Sequence, residues 1–152
     1  MTTIAFDGKT IAGDSRITYN DNEIAGDYDT KVWRISSGGI ISGRIFGFAG
    51  ARSMRDAVHS WIKNGCKKED HPKEGDWSAL VFKGSEDCSN DGYCLHYTNA
   101  TPYGALVQAP FAIGTGDKYA VAAMHCGKTA AEAVSIAAKL DPFTGGEVIS
   151  LP

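Results

Sequence analysis

Apolar and polar positions change their period several times along the chain, and each change marks an element. Residues 2–6 and 9–12 are β-rich runs on either side of Asp7-Gly8, a pair that favours a two-residue hairpin turn. In that register Phe6 faces Lys9 and Thr2 faces Gly13, so Asp14 leaves the sheet beside the start of the chain. Short strands are expected at residues 31–35 and 45–49. From Met54 the apolar residues recur at Ala57, Val58, Trp61 and Ile62, the stripe of a helix buried on one face. Asn64-Gly65 ends it. Residues 64–77 carry seven formal charges and one proline, and they read as a solvated loop.

Three β-like runs follow at 78–82, 93–98 and 103–113, punctuated by Asp91-Gly92 and Thr101-Pro102. Residues 118–124 form a short apolar helix closed by Gly127. Thr129-Ala130-Ala131-Glu132 has the form of a capping box and opens an alanine-rich helix to Leu140. Residues 147–151 make a last strand. Helices grouped between blocks of antiparallel strands argue for an α+β fold rather than a βαβ wind.

The chain has 152 residues, which fits a single domain spanning 1–152 that needs no disulfide or metal staple. With 43% hydrophobic and 22% charged residues, disorder, collagen and coiled coil are excluded. No apolar run approaches the ~20 residues that span a bilayer, and no basic-then-apolar leader opens the sequence. A soluble, cytoplasmic protein without membrane association is expected. A net charge of −3 offers nothing to a phosphate backbone, so nucleic acid is not an expected partner.

Candidate chemistry narrows quickly. Cys66, Cys88, Cys94 and Cys126 match no zinc spacing, and the four histidines are equally scattered, so no metal is expected. Cys88 and Cys94 flank Ser89-Asn90-Asp91-Gly92 and could face each other across a hairpin; free thiols are the expectation in a reducing cytoplasm. Gly127-Lys128-Thr129 lacks the earlier glycine of a phosphate loop, Ala122 standing there, and Gly114-Thr115-Gly116 lacks the third glycine of a dinucleotide fingerprint. No cofactor is expected. At the start of the chain, removal of Met1 would leave Thr2 with a hydroxyl and a free amine, nucleophile and base on one residue. An α-amine has a pKa of about 7.7–8.0, already near working pH.

Six segments read together make Thr2 specific. Met1-Thr2-Thr3-Ile4-Ala5, Ile11-Ala12-Gly13-Asp14-Ser15-Arg16 and Lys31-Val32-Trp33-Arg34-Ile35 resemble the opening of proteasome β-subunits and of the bacterial peptidase subunit HslV. Gly47-Phe48-Ala49-Gly50 is similar to that family's glycine-rich strand end, Ile113-Gly114-Thr115-Gly116 to its later Gly-Ser-Gly turn, and Asp141-Pro142-Phe143-Thr144-Gly145-Gly146 to its Asp-x-x-Ser-Gly-Gly. The segments fall in the family's order and span almost the whole chain.

The resemblance implies a four-layer αββα sandwich of the N-terminal-nucleophile hydrolase type, and a threonine endopeptidase working inside a homo-oligomeric ring. Thr2 is implied as nucleophile, Lys31 as the cation that depresses the amine's pKa, Asp14 as its carboxylate partner and Arg16 as a supporting basic (cationic) position. Gly47 is implied as the oxyanion-hole N–H, a contribution worth about 3–4 kcal/mol in other hydrolases. Thr115, Asp141 and Thr144 are implied to hold the N-terminal amine and the catalytic water, with threonine replacing the usual serine at 115 and 144. Ile17, Trp33, Ile45 and Ala49 are implied to line the substrate pocket, an apolar one favouring cleavage after hydrophobic side chains. The partners implied are a peptide or unfolded protein substrate and a separate ATPase unfoldase.

One helix stands where relatives usually have two, and the sequence stops soon after residues 147–151, so a shortened member is expected. Two other readings compete: an N-terminal-nucleophile amidase acting on a small amide, and a ring subunit that keeps the fold without catalysis. Thr2, Asp14 and Lys31 standing together argue against the second.

Overall fold

The computed structural model describes residues 2–19, 23–36, 41–83 and 92–152. A four-stranded sheet is built from β1 (Thr3–Phe6), β2 (Ile11–Gly13), β10 (Phe111–Gly114) and β11 (Ile149–Leu151), in the order β10-β1-β2-β11. A five-stranded sheet runs β5-β6-β7-β8-β9, from β5 (Val32–Arg34) and β6 (Ile45–Gly50) through β7 (Trp77–Phe82) and β8 (Tyr93–Thr98) to β9 (Thr101–Gln108). Among the described residues every ladder in both is antiparallel. A two-stranded ribbon, β3 (Arg16–Tyr19) with β4 (Glu23–Asp27), projects from neither sheet's ladder. Three α-helices among the described residues, α1 (Arg52–Lys63), α2 (Asp117–His125) and α3 (Ala130–Leu140), complete a mixed α/β structure.

Period-two alternation sends neighbouring strand residues to different apolar clusters. Ile4 and Phe6 of β1 join Ile11, Ile45, Leu80 and Phe82 in a cluster drawn from both large sheets. Ala5, between Ile4 and Phe6, packs instead with Ala12 and the alanines of α2 and α3. Small side chains there let the helices lie close to the sheet. In the five-stranded sheet Phe46, Phe48, Ala79 and Val81 pack with Val58, Trp61 and Ile62, the stripe of α1 read from the sequence.

Several expectations shift. The first hairpin pairs Phe6 with Ile11 and Ile4 with Gly13, two residues out of the expected register. Asp7 is the cause: its Oδ1 accepts from the amides of Lys9 and Thr10, and its N–H donates to the Thr10 carbonyl, so the turn is longer than two residues. A slip of two preserves the faces, and it carries Asp14 back to sit across from Thr3. The run 103–113 is two strands in different sheets, divided at Ala109-Pro110. The segment read as a solvated loop holds a short 3-10 turn at Lys68–Asp70, and His71 is buried against Trp61 and Trp77. Thr129 and Glu132 form the expected capping box. Cys66, Cys94 and Cys126 are free; Cys88 and its hairpin with Cys94 lie outside the described residues. No helix among the described residues is long and apolar enough to cross a membrane.

Candidate active site

Asp14 follows the end of β2, an inner strand of the four-stranded sheet, and is fully buried. Its Oδ1 accepts from the Thr2 hydroxyl and from the Thr3 amide at 2.9 Å. Its Oδ2 accepts from the amides of Arg16 and Gly145, both at 3.1 Å. The Lys31 ammonium, at the threshold of β5, stands 3.2 Å from each oxygen. Lys31 also donates to the Arg16 carbonyl. Burial pushes the Lys31 ammonium below its ordinary pKa, while the charge and hydrogen bonds of Asp14 oppose that shift. Arg16 in turn pairs with Asp27 at 2.9 Å and donates to the carbonyls of Pro142 and Thr144. That ties the β3–β4 ribbon to the loop after α3.

A second group lies on the other side of Thr2. Asp141 Oδ2 accepts from the hydroxyls of Thr115 and Thr144, both at 2.6 Å, and Oδ1 accepts from the Phe143 amide. The Thr144 hydroxyl is 2.6 Å from that of Thr3, and the Thr115 amide donates to the Thr2 carbonyl at 2.9 Å. Gly114, at φ +99°, makes that approach possible, since a Cβ there would lie 1.8 Å from the Thr2 oxygen. Threonine at 115 and 144 is accommodated, with both hydroxyls bonded. Thr3, which the sequence reading passed over, is the link between the two groups.

Two clefts meet at Thr2. One, of about 360 Å³, is lined by Thr2, Ile17, Lys31, Phe48, Gly50 and the first turns of α1. The other, of about 380 Å³, is lined by Thr2, Ala49, Gly50, Ser78 and Thr115 among others. Ile17 and Ala49 therefore stand in the two clefts respectively. Ile45 does not: it is fully buried in the cluster between the two large sheets. Trp33 is half-buried and lines a third cleft, of about 470 Å³, beside His59 and Arg55.

Gly47 lines neither cleft at Thr2. A Cβ built on it would stand 2.7 Å from Ile4 Cγ2 and 3.4 Å from Ile11 Cγ2, in the inter-sheet core. The physical reason is strand length. β6 continues to Gly50, pairing with Trp77, and α1 begins only at Arg52. The strand end that borders Thr2 is therefore Gly50, three residues beyond the glycine matched by sequence. The sequence signal was present, since Gly50 closes the same Gly-Phe-Ala-Gly segment. Asp29, Arg52 and Arg55, which also line the first cleft, carried no such signal.

No protein-family model matches the sequence, and no curated protein sequence aligns with it significantly. Solved structures do match in three dimensions. HslV from Trypanosoma brucei superposes with a TM-score of 0.64 at 17% identity, covering 99% of this chain and 97% of that one. BPH from Thiobacillus denitrificans gives 0.62 at 17% identity, covering 99% and 95%. The Anbu complex from Pseudomonas aeruginosa, a helical assembly, gives 0.58 at 15% identity, covering 99% and 79%. The chain thus shares the fold of HslV and Anbu.

Proposed function

We propose that the chain is a threonine-type endopeptidase subunit, with Thr2 as nucleophile after cleavage of the Met1–Thr2 bond. The observation that carries the reading is the buried convergence of the Thr2 hydroxyl, Asp14 and Lys31 at the junction of two clefts. The three apolar clusters support the finer fold reading, a four-layer αββα sandwich: α1 on one outer face, two stacked sheets, then α2 and α3.

While Met1 is attached, the Thr2 nitrogen is an amide and cannot act as a base. Processing frees it. The new amine takes the hydroxyl proton, and Oγ1 attacks a substrate carbonyl, forming a tetrahedral oxyanion. Lys31 lies on the same carboxylate as the Thr2 hydroxyl, and its positive charge favours the deprotonated amine and the developing alkoxide. The backbone at Gly50, bordering both clefts, is the candidate oxyanion donor in place of Gly47. The amine then protonates the departing amide nitrogen, leaving an ester on Thr2 that water hydrolyses. Thr115, Asp141 and Thr144 hold the N-terminal strand and orient that water. A homo-oligomeric assembly, in keeping with the Anbu helical complex, would enclose the site, with a separate ATPase delivering unfolded protein.

The test is peptide hydrolysis by protein whose intact mass shows loss of one methionine. Thr2→Ala should abolish turnover with the fold retained, and Thr2→Ser should keep it, since hydroxyl and amine both persist. Equal turnover in all three proteins would leave Thr2 as a strand residue only.

A further inference from the structure

The cleft beside Lys31 carries charged groups as well as the apolar side chains expected from the sequence. Ile17 and Phe48 line it, but so do Arg16, Lys31, Arg52 and Arg55 on the cationic side and Asp29 and Asp76 on the anionic side. Three of the four cations are already committed. Arg16 is held by Asp27 at 2.9 Å, Lys31 by Asp14 at 3.2 Å, and Arg55 by Asp29 at 2.8 Å. Arg55 is further fixed by the Thr30 carbonyl, by Asp56 at 3.6 Å, and by the Trp33 ring, whose centroid lies 5.7 Å from its Cζ.

Arg52 differs. Its guanidinium reaches only the Asp29 oxygen that Arg55 already occupies, at 4.0 Å, and its side chain stays 58% exposed. The Asp29 side chain is only 12% exposed, and its charge is outnumbered by the two arginines on one face of α1, three residues apart. Asp56, 3.6 Å from Arg55, balances the second arginine, so the wall presents one weakly held, exposed guanidinium and not a net positive charge. The α1 helix has no acidic residue in its first turn and no side-chain cap at Ala51, and both Ala51 and Arg52 line this cleft. Asp76 lines both clefts at Thr2 and makes no ion pair with Arg52 among the described residues.

We infer that this cleft selects an acidic side chain next to the scissile bond, with the Arg52 guanidinium as the group that reads its carboxylate. Ile17 and Phe48 take the aliphatic stem of such a residue, and Arg52 supplies two parallel N–H donors to the carboxylate at the cleft mouth. Arg55 is a positioning residue here: it neutralises Asp29, which would otherwise repel an acidic ligand. This inference rests on the proposed peptidase reading and names the substrate class of that site.

The experiment uses the processed protein and a peptide set in which one position carries Glu, Asp, Leu or Lys, with cut sites mapped by mass spectrometry. The expected result is cleavage adjacent to Glu or Asp, with kcat/KM about tenfold or more above the Leu and Lys peptides, the size of a charge-assisted hydrogen bond. Arg52→Gln should narrow the Glu-to-Leu ratio about tenfold, and Arg52→Glu should turn the preference toward Lys. Because the residue is exposed, unfolding midpoints of both variants should stay near that of the parent. Thr2-dependent cleavage beside Leu, with a ratio indifferent to Arg52, would overturn the inference and leave the peptidase reading standing. Cleavage that survives Thr2→Ala, or none of any peptide, would take both away.

Discussion

The Lys31 ammonium sits 3.2 Å from both oxygens of the Asp14 carboxylate, and both groups are removed from water. Such a pair is costly to desolvate and is kept only where further hydrogen bonds complete it. Asp14 has four more: Thr2, Thr3, Arg16 and Gly145 all donate to it. One carboxylate therefore joins the first strand, the start of β3, the β5 threshold and the loop after α3.

That arrangement makes Asp14→Asn the more damaging single change at the pair. Whichever way the amide turns, its NH₂ faces at least one of the backbone donors from Thr3, Arg16 and Gly145. We expect a loss of about 3 kcal/mol, from the unmade hydrogen bonds and the orphaned ammonium together. Adding Lys31→Met removes the charge but not the clash, so the double variant should stay well below the parent in denaturant midpoint. Recovery to parental stability would mean the backbone donors do not hold Asp14.

Lys31→Met alone leaves those four donors in place and should fold, while peptide turnover is lost as the Thr2 amine protonates. Lys31→Arg keeps the charge, but a planar guanidinium cannot both flank Asp14 and reach the Arg16 carbonyl as a compact ammonium does. It should impair turnover as well. Full activity in Lys31→Met, measured on protein lacking Met1, would reduce the lysine to a structural counter-ion.

Much of this site was legible in the sequence because its residues sit at element edges that carry their own signals. Gly13-Asp14, Gly114-Thr115 and Asp141 through Gly146 each end or begin an element, and glycine marks each approach. Register and strand length were less legible. The Asp7-Gly8 pair reads as a two-residue turn, and only the side-chain bonds of Asp7 reveal the longer one. Gly47 and Gly50 both fit a strand end, and the pairing with β7 decides between them. The β3–β4 ribbon is too short and too exposed to show a clear alternation. Charges brought together from distant loops, such as Asp29 with Arg55, leave no local pattern.

Gly47→Ala tests the placement of β6. Its new methyl would press on Ile4 in the inter-sheet core, an overpacking cost of about 1–3 kcal/mol. Turnover per folded molecule should persist, because the residue lines neither cleft at Thr2. A fall in turnover without a fall in stability would return Gly47 to the oxyanion role.

Thr144→Val probes the second group. The hydroxyl bonds Asp141 and Thr3 in a fully buried position, and valine keeps the branched shape while breaking both contacts. A loss of about 1–3 kcal/mol is expected, with turnover reduced because Thr3 loses its tether beside the nucleophile. Thr144→Ser, which restores the hydroxyl, should recover most of both. Failure of serine to rescue would assign the effect to the methyl and not the hydrogen bonds.

Acid should weaken the fold through two histidines away from Thr2. Burial lowers the pKa of His59 and of His96 below the ordinary 6.5. His59 packs on Trp33 and Phe46 with its Nε2 buried and unpaired, while His96 stacks on Phe111 and meets the Ser78 hydroxyl at 2.9 Å. Below pH 6.5 the unfolded chain binds protons that the native histidines resist, so the unfolded state is favoured as pH falls. Stability from this source is complete above that pH and declines below it, before the carboxylates titrate. Unfolding midpoints measured from pH 7 to pH 5 should fall, and the fall should shrink in His59→Phe, which keeps an aromatic ring between Trp33 and Phe46 and removes the proton site. An unchanged slope in that variant would place the acid sensitivity elsewhere.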